Sequence, residues 1–209
     1  MERPAAPARA AAHAGPLFML SAALLFTAMD LLIKVLGASF TSWQIAFYRT
    51  FGGLVALLLL FGRGGNPFRG RRVGLLVVRG AVGTATFLSF VAAIRLLPLS
   101  TAMVLFYAYP AFAGAFAALF LGERVSRAGA ACLVAVLVGI AVLLDFRPGG
   151  SALGQAAGIV AAVLGGLVVV LIRELRKVNG PVVIYLYFCT AGALVTAPAF
   201  AANPRLPRT

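Results

Sequence analysis

Three ionisable residues lie inside apolar stretches of the sequence, where charged side chains are rare. Asp30 and Lys34 are four residues apart in "TAMDLLIKVLG", so on a helix they share one face and can pair directly. Arg49 lies in the next apolar stretch, seven residues after Ser42. A single charge at the centre of a membrane-spanning helix costs about 2.5–3.5 kcal/mol on insertion scales, so such residues usually have a function or a partner of opposite charge.

Asp30 and Arg49 are predicted to lie at the same depth on neighbouring antiparallel helices. Each is seven residues from the outer end of its stretch, which corresponds to ~10 Å at 1.5 Å per residue. We expect the two to neutralise one another at the outer mouth of a central cavity, where they meet a polar substrate or form a gate. The alternative is a structural ion pair that only fixes the packing of the two helices. Lys34 is nearer the helix end and can extend to the membrane surface.

The elements that must hold these residues are membrane-spanning helices. The chain has 209 residues, of which 62% are hydrophobic and only 11% charged, and its mean hydropathy is +1.03. Soluble proteins carry about 25% charged residues, whereas this chain repeats apolar runs near the roughly 20 residues that a helix needs to cross a bilayer. We therefore predict an all-α integral membrane protein with seven transmembrane helices. The predicted spans are residues 17–37, 42–62, 73–96, 100–121, 128–144, 153–172 and 182–201.

The basic residues predict the orientation of the chain. The formal net charge is +13, but the arginines stand in short clusters between the apolar runs and form no continuous patch of the kind that binds nucleic acid. With seven spans, the N-terminal tail and the links on its side carry eleven Lys and Arg residues, against four on the opposite side. Positive residues stay on the cytoplasmic side. We expect a multi-pass protein of the plasma membrane with a cytoplasmic N-terminus.

Residues for catalysis or metal binding are sparse. Cys132 and Cys189 lie in apolar runs without a CxxC spacing, and the only histidine, His13, lies in the N-terminal tail. The five carboxylates are spread along the chain, so no nucleophile, base or metal cluster can be assembled. No GxxxxGK[ST] motif is present for binding ATP. We therefore predict a protein that is not an enzyme and that has no cofactor and no metal site.

A weak internal repeat appears when the chain is shifted by 140 residues. "FYRTFGGLVA" then lies over "YFCTAGALVT", with Thr50 over Thr190 and Gly52 over Gly192. Five predicted spans separate the copies, so the second copy enters the membrane from the opposite side, as in the inverted repeats of secondary transporters. The predicted organisation is a cytoplasmic tail, a complete five-helix repeat, two helices of an inverted second repeat and a short tail. These are residues 1–16, 17–146, 151–202 and 203–209.

Residues 79–144 carry a resemblance to a known family. The third span ends in "AAIRLLPLSTA", the fourth contains a proline at mid-helix and is followed by "LFLGERVS", and "WQIAFYRT" opens the second. These features resemble the EamA-like family of the drug/metabolite transporter superfamily. "AMDLLIK" in the first span is similar to the branch that contains S-adenosylmethionine and riboflavin uptake proteins. The resemblance implies ten helices in two inverted five-helix repeats, which move small metabolites through a central cavity.

The fourth span contains the predicted kink. Pro110 removes a backbone hydrogen bond and clashes with the preceding turn, so the helix is expected to bend there. The aromatic residues Phe106, Tyr107 and Tyr109 precede it and either line the cavity or take part in ordinary helix packing.

Two further positions have open alternatives. Glu123 and Arg124, in "LGERVS", form either a gating ion pair or a capped turn at the membrane interface. Arg79, six residues into the third span, is expected to extend to the lipid headgroups as an anchor, and the alternative is a contact with the substrate.

The predicted function is that of a secondary transporter, driven by a proton or solute gradient, that moves a small polar organic metabolite. Asp30 is the only carboxylate well inside a predicted span and is the candidate proton carrier. The second repeat has two spans where the family has five. The alternative is therefore a truncated membrane protein that does not transport, or a subunit that needs a homodimer or another chain. The expected partners are the lipid bilayer and a small-molecule metabolite, and not nucleic acid.

Overall fold

The computed structural model describes residues 7–37, 39–62, 68–122 and 151–202, together with scattered positions between 129 and 142. Within these residues the regular secondary structure is helical. The helices are α1 (Pro7–Leu36), α2 (Ser42–Phe61), α3 (Val73–Leu96), α4 (Leu99–Phe106), α5 (Tyr109–Leu121), α6 (Ala152–Leu175) and α7 (Pro181–Ala202).

Six segments of the described chain are long and apolar enough to cross a membrane. They are α1 from Gly15 onward, α2, α3, α4 with α5, α6 and α7, and they coincide with six of the seven predicted spans. The predicted fifth span, residues 128–144, lies largely outside the described residues, although the positions described there are helical. The first helix begins at Pro7, so part of the predicted tail is helical.

The start of α2 is fixed by its own sequence. The hydroxyl of Thr41 accepts a hydrogen bond from the backbone N–H of Gln44 at 3.3 Å, and the Gln44 side chain accepts one from the backbone N–H of Thr41 at 2.8 Å. This reciprocal arrangement is a capping box, which satisfies two donors that the first turn of a helix leaves unpaired. It holds the beginning of the helix that carries Arg49.

The fourth span is interrupted rather than gently bent. Helix α4 ends at Phe106, Tyr107 and Ala108 form a turn, and α5 starts at Tyr109 with Pro110 in its first turn. Proline has no N–H to donate and its ring clashes with the preceding turn of an uninterrupted helix, but it fits a first helical turn. The predicted irregularity is confirmed, and the break falls two to three residues before the proline.

Helix α3 lies at the centre of the bundle and packs against α6 and α7. Glycines allow the close approach. A Cβ atom at Gly80 would lie 2.9 Å from the carbonyl oxygen of Tyr187 in α7. Helices α5 and α6 approach one another in the same way, since a Cβ atom at Gly166 of α6 would lie 2.7 Å from the backbone nitrogen of Ala113 in α5. Membrane helices use such small residues because close backbone contact replaces the hydrophobic driving force that lipid does not provide.

Candidate functional site

Two arginines from different helices meet at one aromatic ring in the interior. Arg49 of α2 places its guanidinium carbon 5.7 Å from the ring centroid of Phe188 in α7, and Arg79 of α3 places its own at 4.8 Å from the same centroid. Arg49 also lies over Phe87 of α3, at 4.1 Å. A cation over a ring face within about 6 Å is attracted by the ring quadrupole. Helices α2, α3 and α7 thus converge on a cationic cluster with aromatic walls.

Glycines beside the cluster make room for Arg79 and for side chains of α7. A Cβ atom at Gly83, one turn after Arg79, would lie 2.5 Å from Arg79 Nη1 and 2.9 Å from the ring of Phe188. A Cβ atom at Gly53, one turn after Arg49, would lie 3.0 Å from the Cys189 sulfur. The sequence therefore leaves space one turn beyond each arginine, on the sides that face α7.

The charge of the cluster is not balanced by the described residues. Arg79 is only 8% exposed, and its Nε and Nη1 atoms are buried with no hydrogen-bond partner in the described chain. No ion pair within 4.0 Å joins Arg49 or Arg79 to a carboxylate over the same residues. An uncompensated buried cation is strongly destabilising, and two neighbouring cations repel one another. The cluster is a site of concentrated positive charge.

A cavity of about 340 Å³ lies next to the cluster, between α1, α2 and α3. Arg49 is its charged lining residue, and Phe87 belongs to both the cavity and the cluster. The rest of the lining is aliphatic or aromatic, including Met29 and Ile33 of α1 and Tyr48 of α2. The cavity therefore offers an apolar space with a guanidinium group in its wall.

Asp30 is near Arg49 but does not form the predicted ion pair. The carboxylate and the guanidinium interact electrostatically, yet no ion pair within 4.0 Å joins them, and Asp30 Oδ1 is buried without a hydrogen-bond partner among the described residues. The reason is the direction of the Arg49 side chain, which turns to the rings of Phe87 and Phe188. The prediction of direct pairing is wrong.

Lys34 has a structural partner instead of Asp30. Its ammonium donates to the carbonyl oxygens of Ile94 and Leu97, both at 2.7 Å. These carbonyls belong to the end of α3, where backbone acceptors lack donors from the helix itself and a cation is favoured. Lys34 therefore ties α1 to α3, and it does not form the pair with Asp30 that their spacing allows.

The aromatic residues of the fourth span do not line this cavity. The ring of Phe106 packs at 4.3 Å from that of Phe90 and at 5.4 Å from that of Tyr109, whereas Tyr107 is 49% exposed. Phe106 belongs to the core around α3.

Two other predicted residues, Glu123 and Arg124, lie outside the described residues. Among the residues that are described, no group of three His, Cys, Asp or Glu side chains is placed to hold a metal ion.

Sequence reasoning missed half of the cluster. Arg79 was expected to extend to the lipid headgroups, but it is buried against Phe188, which makes that prediction wrong. The glycine one turn later was a usable signal, because it removes the side chain that would have blocked an inward turn. Phe188 itself carried no signal, since its contact with Arg79 spans more than 100 residues of sequence.

Comparison with known proteins identifies the family. The EamA-like transporter family profile matches residues 13–145. The chain is 30% identical over 196 residues to the pseudopaline exporter CntI of Pseudomonas aeruginosa strain UCBPP-PA14, which covers 93% of this chain and 69% of the exporter. It is 28% identical over 128 residues to an S-adenosylmethionine uptake transporter of Rickettsia felis, covering 58% and 44% of the two chains.

The fold is also found in a solved structure. A protein crystal structure superposes with a TM-score of 0.62 at 24% identity, over 90% of this chain and 70% of that one. In strain PAO1 of Pseudomonas aeruginosa the exporter is matched over 65% of its length, so this chain spans about two thirds of the exporters. The resemblance seen in the sequence is confirmed. This multi-pass membrane protein belongs to the EamA-like transporter family, within the drug/metabolite transporter superfamily.

Proposed function

We propose that this protein is a secondary transporter that moves a small polar organic metabolite through the cavity between α1, α2 and α3. The observation that carries the proposal is the unbalanced cationic cluster of Arg49 and Arg79, which meets the cavity at Arg49. Ionisable residues inside a membrane protein usually mark a substrate or ion pathway. Family membership supports the same function.

The direction of transport is open in this proposal. One relative is an exporter and another is an uptake transporter, so the family contains both directions. We propose a plasma-membrane location with a cytoplasmic N-terminus, which is supported by the distribution of Lys and Arg in the sequence. The proposed plan of one five-helix repeat (17–146) followed by part of an inverted second (151–202) is supported by the match between residues 47–56 and 187–196.

Asp30 is proposed as the residue that carries a coupling proton. Its Oδ1 atom is buried without a partner among the described residues, and the carboxylate interacts electrostatically with Arg49. A carboxylate in that position can exchange a proton while the neighbouring arginine binds or releases solute. The Asp30→Asn variant should lose transport that is driven by a proton gradient. It should still carry the solute down the solute's own concentration gradient. Wild-type proton-driven transport in Asp30→Asn would remove this residue from the coupling mechanism.

The test of the function is transport by the purified chain in proteoliposomes. Uptake and efflux of a labelled metabolite panel are measured with imposed proton and solute gradients, and empty liposomes and a ten-span family member serve as controls. Saturable flux of at least one metabolite above empty liposomes is expected. If the ten-span protein is active and this chain transports nothing, the alternative of a non-transporting protein or a subunit that needs another chain is the better description.

A further inference from the structure

We infer that Arg49 and Arg79 form a binding site for the carboxylate group of an amphipathic organic acid. The inference rests on the proposed function, because the acid is taken to be the transported metabolite. It specifies the chemical class of the substrate, which neither family membership nor the cavity alone defines.

The two arginines lack a bound counter-charge among the described residues. Arg49 and Arg79 both lie near the Phe188 ring and repel one another. Glu174, the carboxylate at the end of α6, already pairs with Arg72 at 2.7 Å and with Lys177 at 2.5 Å. Asp30 interacts with Arg49 alone, so one carboxylate at a distance faces two cations. An added anion would balance the remaining positive charge.

Two hydrogen-bond donors of Arg79 are left unused by the described residues. Its Nε and Nη1 atoms are both buried and have no acceptor among the described residues, in a side chain that is more than nine-tenths buried. A guanidinium group presents its N–H donors in a planar fork that matches the two oxygens of a carboxylate. A buried donor that lacks an acceptor is costly, so a ligand that supplies one should bind with a clear gain.

The apolar surroundings of the two arginines favour an organic acid over an inorganic anion. Phe87 and Phe188 flank the guanidinium groups, and the adjoining cavity of about 340 Å³ is lined almost entirely by apolar side chains. A carboxylate bound at the arginines could place a hydrocarbon or aromatic body there. Phosphate or chloride would satisfy the charge and leave the apolar space unused.

The experiment measures binding in the absence of transport. The purified full-length chain in detergent is titrated with phenylacetate and with hydrocinnamate, and each is compared with its neutral amide. Thermal unfolding is the readout, because a ligand of the folded state raises the midpoint. We expect both acids to raise the midpoint in a saturable way, with little effect of the amides. Sodium phosphate and sodium chloride at equal ionic strength should give smaller shifts.

Variants locate the site. Arg79→Gln and Arg49→Gln should each raise the half-saturating acid concentration about 10-fold or more, because each removes a charge-assisted contact. Arg71→Gln changes an exposed arginine that lies two residues before the start of α3. This variant is the matched control and should bind like the wild type. If an arginine variant does not fold, Gly83→Ala keeps both charges and moves the Arg79 guanidinium.

Three results would overturn the inference. One is an equal response to acids and amides, and another is undiminished binding in the arginine variants or, if these do not fold, in Gly83→Ala. The third is a response to phosphate or chloride as large as that to the acids, which would indicate a site for inorganic anions only. The transport proposal fails separately. If the acids bind as expected but the reconstituted chain carries no solute, the carboxylate site stands and the transport function does not.

Discussion

Basic residues in this bundle occupy two kinds of place, and they are satisfied in different ways. At the helix ends, Lys34 donates to two carbonyl oxygens of α3, and Arg95 donates to the carbonyl oxygen of Gly37 at 3.1 Å. In the interior, Arg49 and Arg79 lie over aromatic rings, and Arg79 keeps two buried donors without an acceptor among the described residues.

The difference separates structural from functional cations. A lysine or arginine at a helix end meets backbone acceptors that the helix cannot satisfy by itself, so it stabilises the fold. A buried arginine whose donors no described residue satisfies does not stabilise the empty protein, and its position is better explained by a ligand. The same comparison predicts that substitutions at the two places affect different measurements.

The largest effect is expected from Arg49→Gln. This change removes the charged group that lines the cavity and, with it, the proposed contact to the substrate carboxylate. Truncating one partner of a buried charge pair can cost about 2–5 kcal/mol. Transport in proteoliposomes should fall about 100-fold, with the unfolding midpoint at or above that of the wild type because an unbalanced cation is removed. Arg95→Gln, at the helix ends, is the control and should retain transport. Flux within twofold of the wild type in Arg49→Gln would show that the interior arginines are no more important for transport than the basic residues at the helix ends.

A smaller loss of transport is expected from Gly83→Ala, which changes no charge. The added methyl group would collide with Arg79 Nη1 and the Phe188 ring, so the guanidinium must move while the backbone stays in place. Transport should fall by roughly 10-fold, about the effect of one charge-assisted contact. Gly52→Ala is the matched control in α2, because no atom lies within 4 Å of its added Cβ. Equal activity of the two alanine variants would show that the position of Arg79 does not matter.

Lys34→Met should affect stability and leave transport intact. The change removes two hydrogen bonds of 2.7 Å from an ammonium group to α3, with an expected loss of about 2 kcal/mol. Unfolding in detergent measures the loss, and flux per folded molecule should equal that of the wild type. Lys34→Arg keeps a donor and should recover part of the stability. A loss of flux in fully folded Lys34→Met would show that Lys34, like the interior arginines, is needed for transport.

The smallest effect is expected from Glu174→Gln. Its ion pairs with Arg72 and Lys177 are largely exposed to water, and such pairs contribute little because solvent and salt screen them. The unfolding midpoint should stay within experimental error of the wild type at moderate salt. A large drop in the midpoint at both low and high salt would show that this end of the bundle depends on the network.

The spans could be predicted from the sequence and the site only in part. Apolar runs set the lengths of helices in lipid, which is why α3 has the predicted bounds of 73 and 96. Depth along a helix also follows from residue counting. The direction in which a side chain points around the helix does not, so Arg49 turns to Phe87 instead of Asp30, and Arg79 turns inward instead of to the headgroups.

The contact at Gly166 limits how this protein can vary. A methyl group there would meet the backbone of Ala113 and the Cβ of Phe112, at 2.7 and 2.6 Å. Neither atom can be moved by rotating a side chain, so even a change to alanine would have to displace α5 as a whole. Tolerance to mutation at this crossing is therefore set by main-chain geometry and not by the adaptability of nearby rotamers.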